Sequence, residues 1–269
     1  MGSQMDKEKL LKQAKDPRYI PGIYNYCDRW CERCPFTSRC LNCTLTEETF
    51  GNLEGIDIRN EEFWDKLSGL LRDTMEMIAE FAQENGIDLS SFEDENHKNF
   101  ASNQDDNRIS SLLFHLAEEY AVSVQRWLQS NEDLLHRAQD RMMQIRLLSS
   151  EENPEKDFAN IKDAIEVIRW YLFQIGVKIK RASENQCEAF VIKEVDLPDD
   201  SDGSAKVALI GIEKSMAAWH ILLNNFPEQK KEVIQKILQL KDLRKRTELS
   251  FPNARAFKRP GFDDPKDVY

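Results

Sequence analysis

The stretch Asn153–Ser183, NPEKDFANIKDAIEVIRWYLFQIGVKIKRAS, decides the fold class. Asn153 is a residue type that caps helices, and Pro154 suits the first helical position, where no intrahelical N–H is needed. Behind them Ile161, Ile165, Ile168, Leu172, Ile175 and Ile179 recur at three- and four-residue steps along one helical face. Trp170, Phe173 and Val177 add apolar surface off that row, so this segment is predicted to be the central helix of a bundle.

Similar rows lie on both sides. Phe63, Leu67, Leu70, Met77, Ile78 and Phe81 form one. Ile109, Leu112, Leu113, Leu116, Tyr120, Val124 and Trp127 form the next, and it can run on through Leu134, Leu135 and Met142 toward Ser149 as one long helix. Ala189–Val195 leans toward β structure, and the acidic, turn-rich segment 196–203 reads as a linker. Ser204 can cap a fourth helix over 205–224. Pro227 opens a fifth that reaches Leu249, with Val233, Ile237, Leu240 and Leu243 inward. With only 10 Gly and 9 Pro to interrupt these patterns, the chain is predicted to be all-α, a bundle of about five helices over residues 58–249. Residues 1–16 read as a tag remnant and a short helix, 17–45 as a cysteine-rich loop, and 250–269 as an aromatic tail that docks at least to Phe262. Residues 84–107 read as a polar surface connection.

The chain has 269 residues, 41% of them hydrophobic, enough for a sizeable core. No apolar run is long enough to span a membrane, and the N-terminal residues lack a secretory core, so a soluble, cytoplasmic protein is expected. The net charge of −11 makes nucleic acid an unlikely partner. Cations near the C-terminus (Lys241, Arg244–Arg246, Arg255, Lys258, Arg259) are read as complementing a helix dipole and solvating the tail.

Five of the six cysteines crowd into CDRWCERCPFTSRCLNC, residues 27–43. In a reducing compartment such clusters bind metals rather than forming disulfides, and an odd number of thiols pairs badly. Thiolates are soft donors, and the spacing C-x3-C-x2-C-x5-C-x2-C lets one loop turn four sulfurs onto a centre. Zinc would take Cys31, Cys34, Cys40 and Cys43, with Cys27 spare. Tyr24, Tyr26, Trp30 and Phe36 would shield an iron–sulfur cluster from water, and Arg29, Arg33 and Arg39 would offset its charge.

Cys27-x3-Cys31-x2-Cys34 resembles the cluster spacing of radical S-adenosylmethionine enzymes. Cys31-x2-Cys34-x5-Cys40-x2-Cys43 resembles their auxiliary-cluster run, and Cys34-Pro35 is similar to ferredoxin cluster loops. The resemblance implies an iron–sulfur cluster on these cysteines. It extends no further than this loop, because the chain lacks the strand–helix alternation of the radical-enzyme barrel. Iron–sulfur, with an electron-transfer or redox role and an unidentified redox partner, is therefore the expected centre. A structural zinc site in a noncatalytic interaction protein is the alternative.

Polar residues also interrupt the apolar rows. His115, Glu119, Glu166, Glu213 and His220 resemble the inward donors of ferritin-like di-metal bundles, although no helix here carries Glu-x-x-His. They form a candidate second site, in which Glu166 could act as an acid or base. Cys187 is read as a small buried apolar residue. No phosphate loop, nucleophile elbow or haem-attachment motif is present.

Overall fold

The computed structural model describes residues 7–51, 59–84, 86, 104–148, 154–191 and 200–263. Among them are eight α-helices: α1 (Lys7–Ala14), α2 (Leu41–Phe50), α3 (Glu61–Glu84), α4 (Gln104–Ser130), α5 (Leu134–Leu148), α6 (Pro154–Val191), α7 (Ser201–Asn225) and α8 (Lys230–Ser250). No strand occurs among the described residues. None of these helices is long and apolar enough to cross a membrane. The chain divides into two compact units: Met1–Gln104 with Arg259–Tyr269, and Asp105–Lys258.

The larger unit is a helical bundle. Its centre is α7, whereas the sequence pattern pointed to α6. On α6 the row Ile161, Ile165, Ile168, Leu172, Ile175, Ile179 is buried as expected, but Phe173 and Val177 are more than half exposed, so α6 packs on one side only. Helix α7 is lined with small buried residues, Ser204, Ala205, Ala208, Gly211, Ser215 and Ala218, that let neighbours approach closely. At Gly211 a Cβ would stand 2.8 Å from the Tyr171 ring, so α6 can lie this near only because that position is glycine. From α4, Tyr120 and Trp127 meet α7 at Trp219, whose indole N–H donates to the Tyr120 hydroxyl at 3.0 Å. From α8, Val233, Leu240 and Leu243 complete the core.

Three boundaries differ from the sequence reading, each for a local reason. The helix expected to run unbroken from 109 to 149 stops at Ser130. Buried Asn131 turns its side-chain N–H₂ onto the Trp127 carbonyl, replacing a helix bond. Helix α7 starts at Ser201 rather than after Ser204, and Asp200 before it is held by Arg181 of α6. Helix α6 continues to Val191 and takes in the start of the β-leaning run; residues 192–199 lie outside the described ones. Pro227 opens a 3-10 turn that leads into α8. Beyond α8, Phe251 and Ala254 are buried, Arg255 bridges Glu213 and Glu248 at 2.6 Å each, and Lys206 donates to the Phe257 carbonyl. This much of the tail packs within the larger unit, and residues from Arg259 on fall in the smaller one.

The smaller unit holds α1, the cysteine loop, α2, α3 and residues 259–263. Lys9 and Gln13 of α1 both bond Glu48 of α2, at 2.7 and 3.0 Å. Its buried apolar residues, among those described, are Ile20, Ile23, Tyr26, Cys43 and Ala82. Helix α3, read as the first bundle helix, falls in this unit, with Trp64, Leu71, Met75, Ile78 and Phe81 exposed.

Candidate metal centre

Between Ile20 and α2 the chain advances in short 3-10 turns, Ile23–Asn25, Cys31–Arg33 and Thr37–Arg39, with a cysteine near the end of each. Such turns suit a segment too poor in aliphatic residues for a longer helix. Left-handed Gly22 (φ 71°) starts the first turn. Asp28 accepts the Trp30 N–H at 3.2 Å, and Arg29 between them takes φ 60°. The left-handed Arg29 redirects the chain between Cys27 and Cys31. Cys40 then caps α2, and Cys43 sits in its first turn, at the positive end of the helix dipole where thiolates are favoured.

As a result Cys27, Cys31, Cys34, Cys40 and Cys43 all line one cavity of about 20 Å³. Tyr24, Trp30 and Phe262 complete its apolar wall. Phe262 reaches the cavity because Gly261 (φ 76°) passes so close to Ile20 and Ile23 that a Cβ would stand 2.9 and 3.0 Å from their methyls. Its ring then packs edge-on against Phe36 at 5.2 Å. Arg33 lies over the Trp30 ring at 3.9 Å, and Arg259 over Phe262 at 4.8 Å.

All five cysteines are free thiols, and Cys43 is only 3% exposed. The Phe36 N–H points at Cys34 Sγ (3.4 Å), a bond that favours the thiolate, while Cys27 donates to the Tyr24 carbonyl (3.5 Å). The wider environment opposes ionisation. Burial foremost, then the charges that Cys27, Cys34 and Cys40 would carry, raise the Cys31 pKa. Burial also raises Cys34 against the pull of the Phe36 N–H. Cys43 is pushed up to about 12 by burial, with Cys31, Glu47 and Cys40 adding to it. A group of sulfurs that cannot ionise together unaided is the arrangement a bound cation would reverse, and an all-thiol donor set suits a soft metal. Among the described residues, no three or more Cys, His, Asp or Glu side chains stand in coordinating geometry.

The candidate second site does not assemble. His115 pairs with Glu119 on the exposed surface of α4 (3.3 Å), Glu213 is held by Arg255, and His220 is exposed. Glu166 is half-buried. The side chain of Cys187, and all of His97, lie outside the described residues. The tail was expected to dock on the bundle at least to Phe262, whereas Phe262 lines the cysteine cavity of the smaller unit. Sequence reasoning also passed over Glu47, which accepts from the Cys43 thiol at 3.8 Å and is signalled only by helical i,i+4 spacing.

Comparison with protein-family models, with curated proteins and with solved structures finds no match to this chain.

Proposed function

We propose that Cys27, Cys31, Cys34, Cys40 and Cys43 bind a metal centre, an iron–sulfur cluster serving electron transfer or redox sensing. The observation that supports this most is that five cysteines from successive turns and a helix N-terminus line a single aromatic-walled cavity. Apolar walls limit water access to a cluster, the N–H to Cys34 Sγ tunes its potential, and nearby Arg33 offsets its charge. With this reading go a protein redox partner and a reducing, cytoplasmic compartment that keeps the thiols free.

A second reading is favoured by one feature. A cavity of about 20 Å³ has room for a single ion, which fits a structural zinc in a noncatalytic interaction protein. Elemental and sulfide analysis of anaerobically purified protein, with its visible spectrum, separates the two. Iron and sulfide with brown charge-transfer absorption support the cluster. Colourless protein with one zinc per chain overturns it in favour of zinc, and protein that takes up neither metal on reconstitution overturns both. Cys27→Ser sharpens the result: it should abolish a cluster held by the Cys27, Cys31, Cys34 triplet and spare a zinc held by the other four thiols.

A further inference from the structure

The larger unit contains a cleft of about 490 Å³ between α4 and α8, a size that suits a small molecule. Two polar stripes face each other across it. Ser123, Arg126 and Ser130 recur at three- and four-residue steps on α4, and Glu232, Gln235 and Lys236 form the matching stripe on α8. The framework is tied together: Ser123 Oγ donates to Gln239 Oε1 at 3.1 Å, and the Trp127 indole N–H donates to Gln229 Oε1 at 3.3 Å.

The cleft's notable member is Lys236. It sits on the inward row of α8 with Val233, Leu240 and Leu243, where an apolar residue is the ordinary choice, and it is only 7% exposed. No carboxylate pairs with it among the described residues, and no hydrogen bond satisfies it there; Glu232, one turn back, acts on it only through its charge. Its aliphatic stem is what is buried, and that burial lowers its pKa while the ammonium still reaches the cleft. Arg126, on the opposite wall, likewise has no ion-pair partner among the described residues. The cleft therefore offers two cations, Lys236 on a buried stem and exposed Arg126, with the exposed Ser130 hydroxyl able to turn and donate, against a single carboxylate.

We infer that this cleft binds a small phosphate-bearing ligand, with Lys236 and Arg126 as its charge partners and Ser130 as a supporting donor. A tetrahedral oxyanion matches donors converging from two walls: the ammonium acts as a point charge, and the guanidinium presents a fork. The inference is independent of the metal centre, because every residue it uses lies within 123–239.

Calorimetric titration of the full chain with inorganic phosphate, and separately with glycerol phosphate, tests it. Saturable binding is expected for at least one of them, weakened about tenfold or more by Lys236→Met and several-fold by Arg126→Gln, and strengthened by Glu232→Gln. Tighter binding of glycerol phosphate assigns the cleft to a phosphorylated metabolite, and equal binding assigns it to the free anion. Arg126 is exposed, so its variant remains informative if Lys236→Met fails to fold. In the unmutated chain, limiting acetic anhydride should label Lys236, and phosphate should protect it. Failure of both probes to saturate in the millimolar range, equal affinity of the Arg126→Gln and Lys236→Met proteins with the parent, or no protection of Lys236 overturns the inference.

Discussion

The two units of this chain reach order by different means. In the larger one, α7 combines small buried residues with the large buried Trp219 and Leu222, Trp219 packing on Tyr120 and Trp127 of α4, so the bundle has an extensive apolar core of its own. In the smaller one the described core amounts to Ile20, Ile23, Tyr26, Ala82 and a cysteine, with three short 3-10 turns where helices would otherwise contribute hydrogen bonds. A segment that buries so little needs another source of folding free energy, and five sulfurs around one cavity can supply it through a metal. The contrast predicts that the units fail separately and under different insults.

The largest effect should come from removing the metal. Chelation of the proposed metal, or Cys31→Ser with Cys34→Ser, should expose residues 18–43 to protease while most of the helical circular dichroism survives, the outcome expected if the bundle's own core stabilises it. Loss of the entire helical signal would erase the distinction between the units.

The converse insult is Trp219→Ala. It empties the meeting point of α4 and α7 and leaves the Tyr120 hydroxyl without its donor, so denaturant unfolding of the bundle should lose about 3–5 kcal/mol. Metal content should not change. A fall in bound metal parallel to the fall in stability would show the two units to be energetically one.

Gly261→Ala is a smaller perturbation and belongs to the smaller unit alone. It forces a side chain into the left-handed region and against Ile20 and Ile23, at a cost of about 1–3 kcal/mol. The expected readout is faster release of metal to a chelator, with the bundle's unfolding midpoint unchanged.

The smallest effect concerns pH and the bundle. Burial lowers the pKa of Lys236 in the folded chain, whereas the unfolded chain keeps the ordinary value of 10.5. Between these two values the unfolded state binds more protons, so this residue makes the bundle more stable as pH rises through that window, and its penalty is fully present below it. Lys236→Met should flatten the rise in pH-dependent unfolding curves. Parallel curves for the two proteins would mean that the ammonium is solvated after all.

Most helices were legible because apolar residues at helical steps report a buried face directly. The partner of that face was not legible. Phe63, Leu67, Leu70 and Ile78 have a period as clear as that of α6, yet α3 falls in the smaller unit with Ile78 half exposed, since periodicity names a side and says nothing of what covers it. The central helix was misplaced for a related reason. Hydrophobicity drew attention to Phe173 and Val177, while centrality depends on the steric smallness of Ala208, Gly211 and Ser215, which an apolar count undervalues. In the cysteine loop the crowding of the thiols was evident from spacing alone. Their common cavity depends on Arg29 and on Gly261, whose backbone conformations leave no periodic trace. Lys236 escaped notice because a lysine on an inward row reads as solvated until its burial is measured.

Phe262, which walls the sulfur cavity, stands in the chain order after the whole of the bundle. During synthesis the five cysteines leave the ribosome early, every residue of the bundle follows, and only then does the residue that closes the cavity emerge. The bundle thus has all its residues available before the smaller unit can be completed. Until that moment the thiols lack one wall, which leaves an interval in which a metal donor can reach them directly. On the proposed metal-centre reading, the position of one aromatic side chain in the sequence would make the wall of the cavity the last part to be synthesised, after the thiols and after the bundle.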